Sequence, residues 1–108
     1  MTHDIFKTEE EKKRLDEIRK RRRDRDLSDL KKIIDRSEGR RFLWRLLSEA
    51  GVHRGSYASN ALETAFKEGK RDIGLFVLTD LLSIQPEVIS VMQREAKNDK
   101  WNSDNNNE

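Results

Sequence analysis

Apolar residues are sparse in the first quarter of the chain and then recur at three- and four-residue spacing almost to its end. Residues 7–26 hold 17 charged side chains, with only Leu15 and Ile18 apolar among them. Beyond them, Leu30, Ile33 and Ile34 share one helical side, and Phe42, Leu43, Leu46, Leu47 and Ala50 share another. Leu62, Ala65 and Phe66, then Ile73, Phe76, Val77, Leu81 and Leu82, then Val88, Ile89, Met92 and Ala96 continue the pattern. That period belongs to amphipathic helices that turn one stripe toward a core. Neither strand-like alternation nor a hairpin turn interrupts it.

Local punctuation divides the stripes. Thr8 with Glu11, and Asn60 with Glu63, have capping-box spacing and predict helix starts. Ser28 and Ser37 are placed to cap two more helices, with Leu27 as an apolar contact before the first. Gly51 predicts a left-handed stop with Val52 folding back on the last turn. Gly69 reads as another stop, and Pro86 as the first position of a helix. Gly74 lies inside an apolar helix, where it costs about 1 kcal/mol relative to alanine unless another helix approaches closely. It is taken as a packing contact.

The expected fold is all-α: a compact bundle of four to five short helices with a projecting, highly charged N-terminal helix. The packed helices fall at about 37–50, 61–68, 70–84 and 86–97, with residues 28–36 beside them. By domain, residues 1–26 form the charged arm, 27–97 the helical domain and 98–108 a disordered polar tail. Leu62, Ala65 and Phe66 are expected to face inward.

Charge changes this picture mainly through its distribution. The 108 residues carry a net charge of +2, yet residues 19–25 (RKRRRDR) place six cations in seven positions behind the acidic Glu9, Glu10 and Glu11. Opposite charges four residues apart (Glu9–Lys13, Glu10–Arg14, Asp16–Lys20) support a solvated helix by ~0.2–0.5 kcal/mol per pair. The N-terminus lacks the apolar stretch of a secretory leader, and the longest apolar run, residues 74–78, is too short to span a bilayer. A cytoplasm, or a particle filled from one, is the expected setting.

Catalytic chemistry has little to build on. With no cysteine, disulfides and thiolate metal sites are excluded. His3 and His53 are too few for a zinc site, and His53 reads as a loop residue capping the Gly51 end of its helix. Ser56, Tyr57 and Ser59 form no nucleophile elbow, and Gly51, Gly55, Gly69 and Gly74 fit no phosphate-binding loop. Glu68 and Asp72 are neutralised by Lys70 and Arg71. Asp80 interrupts an apolar stripe, either as a solvent-facing edge or as a buried partner for Arg41 or Arg45. The chain is expected not to be an enzyme, and to need neither cofactor nor metal.

Four segments in this order and spacing carry a resemblance: residues 39–52 (GRRFLWRLLSEAGV), 62–71 (LETAFKEGKR), 73–82 (IGLFVLTDLL) and 86–95 (PEVISVMQRE). Together they resemble the Bbp19-like family of tailed-bacteriophage proteins over about residues 38–96. The Arg-Arg-Phe-Leu-Trp opening and the Thr-Ala-Phe-x-Glu-Gly-x-Arg block are its specific parts. Ile89 stands where that family often has an aromatic residue, and the charged arm is longer than usual. The resemblance implies a small helical protein encoded among head and packaging genes, with no established enzymatic activity.

Two functions follow as expectations. The first is a non-enzymatic phage structural or assembly protein, found in the virion or in the host cytoplasm during assembly. Its partners would be other phage proteins (portal, tail or internal), or further copies of itself, with no membrane involved. The second is a small nucleic-acid-binding or regulatory protein with the basic block on phosphates. Candidate partner-binding residues are Arg19, Lys20, Arg21, Arg22, Arg23 and Arg25 in the arm, with Arg40, Arg41 and Arg45 on the flank of the most specific helix. The last three either pair with Glu38, Glu49 or Asp80, or grip an acidic partner surface.

Overall fold

A 26-residue helix free of glycine and proline opens the architecture. The computed structural model describes residues 8–52 and 60–106, with side chains described through Asp99. Four helices account for the described chain: α1 (Glu9–Ile34), α2 (Ser37–Ala50), α3 (Ala61–Ile84) and α4 (Val88–Asn106). The fold is all-α, and no strand occurs among the described residues.

Two helices expected to be separate are each part of a longer one. Ser28 caps nothing, and α1 runs through it because nothing between Glu9 and Ile34 breaks the backbone ladder. Gly69 likewise sits mid-helix in α3 with helical hydrogen bonding on both sides. It does not take the left-handed conformation that a glycine stop needs, and that conformation occurs only at Gly51 among the described residues. One cap and one start also differ. The carbonyl of Arg36 accepts from the Arg40 N–H (3.1 Å), so α2 is capped at Arg36, with no side-chain cap from Ser37. Pro86 lies in a turn closed by Val88 N–H on the Gln85 carbonyl (3.0 Å), ahead of α4 and not at its first position. At the other end α4 continues to Asn106, past the Asn98 at which the polar tail was expected.

The remaining local signals act as expected. Thr8 Oγ1 accepts from the Glu11 N–H (3.2 Å), and Asn60 Oδ1 from the Glu63 N–H (2.7 Å). Gly51 takes φ 74°, and its N–H reaches the carbonyls of Leu47 and Ser48, both at 3.1 Å. The Val52 N–H then bonds the Leu47 carbonyl (3.4 Å), which completes a Schellman-type stop and folds Val52 into the core.

The core is small, and every helix contributes to it. Ile34, Leu43, Leu47, Val52, Leu81, Val88 and Met92 are buried together. A β-carbon on Gly74 would lie 2.5 Å from Val52 Cγ1 and 2.6 Å from Ala50 Cβ, so α2 and α3 meet where only glycine fits. Between α3 and α4 the chain bends by 115°, and Lys31 ties that corner to α1 through Gln85 Oε1 (2.7 Å). The radius of gyration is 19.6 Å, against about 13 Å for a compact chain of this length. α1 alone is about 39 Å long at 1.5 Å per residue. From residue 9 to 26 every side chain except Leu15 is exposed.

The largest departure from the sequence reading concerns α3. Leu62 and Phe66 face outward, as do Ile73 and Phe76, with exposures of 62–86%. At 3.6 residues per turn these four share one side of α3, roughly a third of a turn from the side of Gly74 and Leu81. Joining two short helices into one fixes their relative rotation, and only one of the two apolar stripes can then meet α2. On α2, Phe42 is also half-exposed. No single described helix is long and apolar enough to cross a membrane.

Candidate functional site

The basic block of α1 divides into one internal anchor and an outward face. Arg23 Nη2 donates to Asp80 Oδ1 at 2.7 Å, and the Asp80 side chain is only 13% exposed. Asp80 is therefore neither a solvent-facing edge nor a partner of Arg41 or Arg45. The contact between α1 and α3 brings Arg23 to it instead. The hydrogen bond, and then the charge of Asp80, push the Arg23 pKa up and keep it cationic.

Ile18, Arg21, Arg22 and Arg25, spaced i, i+3, i+4 and i+7, line one shallow groove along the helix. Arg25 lies 3.7 Å from Asp26, and Arg21 Nε donates weakly to the Glu17 carbonyl (3.5 Å). Arg19 and Lys20 are exposed off that face, with Arg19 3.9 Å from Asp16. Lys12–Glu9 and Arg19–Asp16 are three residues apart where a spacing of four was expected, and a four-residue pair forms only at the helix end, between Lys31 and Asp35 (2.7 Å). Exposed pairs at these distances contribute little to stability.

The three arginines of α2 part company. Arg40 points inward and grips Glu95 on α4 with two parallel bonds, Nε to Oε1 at 2.7 Å and Nη2 to Oε2 at 3.0 Å. Its Nη1 also reaches the Ile34 carbonyl at 2.9 Å, which ties the end of α1 into the same node. Of the expected partners, Glu38 and Glu49 lie on the opposite side of α2 from Arg40, and Asp80 on α3 is taken by Arg23. The Arg40 hydrogen bond lowers the Glu95 pKa below the ordinary carboxylate range, and Glu95 in turn raises that of Arg40.

Arg41 and Arg45 point outward and, with Glu38 and Phe42, line a second groove. The Arg45 guanidinium lies 5.6 Å above the Phe42 ring centroid. Such a cation–aromatic surface suits an anionic or mixed partner face. The Glu38 pKa is lowered by its own backbone N–H and then by Ser37, so an acid sits at the edge of this groove.

Glu95 and Arg71 were not singled out from the sequence. The Arg71 Nε is buried and has no hydrogen-bond partner among the described residues. Glu68 and Asp72 are exposed, and no cluster of three His, Asp or Glu side chains is arranged to hold a metal among the described residues. His3, His53, Gly55, Ser56, Tyr57 and Ser59 lie outside the described residues. What the described surface offers is two separate cation-rich faces, each with an apolar side chain set among the arginines. Such faces can contact anionic groups.

The family described as Bbp19-like phage protein matches residues 30–94, from the last turn of α1 to one residue short of Glu95. No curated protein and no solved structure matches the chain.

Proposed function

Because the chain belongs to the Bbp19-like phage protein family, we propose that it is a non-enzymatic structural or assembly protein that binds other virion proteins through its helical surfaces. One observation carries this reading. Arg23 clamps α1 to α3, while Ile18, Arg21, Arg22 and Arg25 face outward along a helix that extends beyond the packed core. The arm, residues 1–26, lies outside the family match, which begins at residue 30. The matched region is the platform, and the arm is the element adapted to a particular acidic partner, with Arg41, Phe42 and Arg45 as a second contact.

The test is charge reversal in the phage. Arg21→Glu, Arg22→Glu and Arg25→Glu together should leave the fold intact, because none of the three touches the core. The variant should no longer co-purify with head or portal components from infected cells. Unchanged co-purification would remove α1 as the docking element.

A second reading, phosphate binding by the same face, is favoured by the convergence of three cations on one groove. It requires affinity for duplex DNA that falls steeply between about 50 and 200 mM salt, by roughly one power of salt concentration per phosphate contact. The acids Asp16, Glu17, Asp24 and Asp26, interleaved with those cations, weigh against it.

A further inference from the structure

The outward stripe of α3 has the spacing of a helix–helix seam. Leu62, Phe66, Gly69, Ile73 and Phe76 follow one another by four, three, four and three residues, the alternation that keeps a seam facing a partner helix. Asp80 is the next position in the same series, and Arg23 of α1 occupies it. The exposed remainder therefore continues a seam that α1 covers only at its C-terminal end. Taken at typical areas for large side chains, Leu62, Phe66, Ile73 and Phe76 present about 500 Å² per chain. That is a large patch for a monomer. In an antiparallel register with Leu62 opposite Ile73, its Leu62–Ile73 part is covered and Phe76 lies past the end of the second copy's α3, which puts the buried area at the small end of specific interfaces.

We infer that this stripe is the interface between two copies of the chain, packed through antiparallel α3 helices. The inference goes beyond the docking role of α1 and stands on α3 alone. Three observations select the occupant and its direction. Nothing lies within 4 Å of a β-carbon built on Gly69, so the middle of the stripe is a notch open to a protruding side chain. With Leu62 opposite Ile73 of the second copy, Phe66 of each chain enters the Gly69 notch of the other.

A parallel pair would instead oppose Phe66 to Phe66 and leave the two glycines facing across a void. The flanking charges agree with the antiparallel choice. In that register Glu63 of each copy comes beside Lys70 of the other, giving two symmetry-related ion pairs. The Lys70 ammonium already lies along this edge, 5.5 Å from the Phe66 ring centroid. Arg23 on Asp80 supplies the third observation. It sets α1 over the C-terminal end of the seam, and an antiparallel pair carries the two α1 helices to opposite ends, clear of each other.

Sedimentation equilibrium of the full chain over a micromolar concentration series tests this directly. The expected result is a reversible dimer. Gly69→Leu fills the notch and should weaken the dimer by at least about tenfold, since it blocks the centre of the interface. The same change should leave the helical circular dichroism intact, because a β-carbon there meets nothing within one chain and the position is exposed. Glu63→Lys and Lys70→Glu should each weaken the dimer, and the double exchange should restore it.

The absence of native cysteine permits a register test. Leu62→Cys mixed with Ile73→Cys should form the mixed disulfide, and neither variant alone should cross-link comparably. A chain that stays monomeric at all concentrations overturns the inference, as does a dimer indifferent to Gly69→Leu. Leu62→Cys cross-linking mainly to itself would also overturn it. Failure here leaves the α1 reading standing, because the charge-reversed arm variant should dimerise like the parent.

Discussion

Arg23 and Asp80, 57 residues apart, meet at 2.7 Å, so one cation of the basic block fixes the helix that displays the others. The same contact closes one end of the apolar seam on α3 and leaves the rest open. Asp80→Asn keeps the size and removes the charge, and should free α1 locally. Amide hydrogen exchange over residues 19–27 is expected to quicken, with residues 43–47 in α2 unaffected. Equal exchange in both proteins would show that the pair does not hold the arm.

Gly69 and Gly74 lie five residues apart on α3 and should respond oppositely to alanine. At Gly69 a methyl group meets nothing within one chain, so at protein concentrations low enough to keep the chain monomeric Gly69→Ala should stabilise the fold by up to about 1 kcal/mol through helix propensity. At Gly74 it meets Val52 and Ala50 inside 3 Å, so Gly74→Ala should destabilise by about 1–3 kcal/mol despite the same propensity gain. Urea midpoints of the two variants check both signs.

The Arg40–Glu95 bridge predicts a defined acid dependence. Glu95 has a lowered pKa in the folded state, so its stabilisation is complete above the unfolded value of about 4.3 and is lost as pH falls through the folded value. Glu38, also lowered, acts in the same direction. Glu95→Gln should be less stable than the parent at pH 7, with the difference closing toward pH 3. A difference independent of pH would mean that the ion pair contributes nothing as a charge. Arg40 stays cationic throughout this range.

These relationships separate what the sequence carries locally from what it does not. The bounds of α2, the Gly51–Val52 stop, the Thr8 and Asn60 caps and the packing role of Gly74 are written within four or five residues of each site. Fusion across Ser28 and across Gly69 was not legible, because a cap or stop residue works only if the backbone turns there. In both places the helical ladder wins, at a cost of about 1 kcal/mol for an exposed glycine. The partners of Asp80 and Arg40, 57 and 55 residues away, depend on how the helices cross. The outward rotation of Leu62 and Phe66 depends on the same crossing. An apolar stripe marks a surface that will be covered, and spacing alone does not say whether the cover is this chain or another.

On the proposed function, α1 joins the protein to a phage particle during assembly. Mass spectrometry of density-purified procapsids and mature particles tests it most directly, with abundance set against the portal protein. Phage carrying the parent chain should be compared with phage carrying the Arg21→Glu, Arg22→Glu, Arg25→Glu variant. The account predicts a stoichiometric signal from the parent in at least one of the two particle forms. It predicts loss of that signal in the variant while the folded protein persists in the lysate. Absence of the parent from both forms, or equal incorporation of the variant, would contradict it.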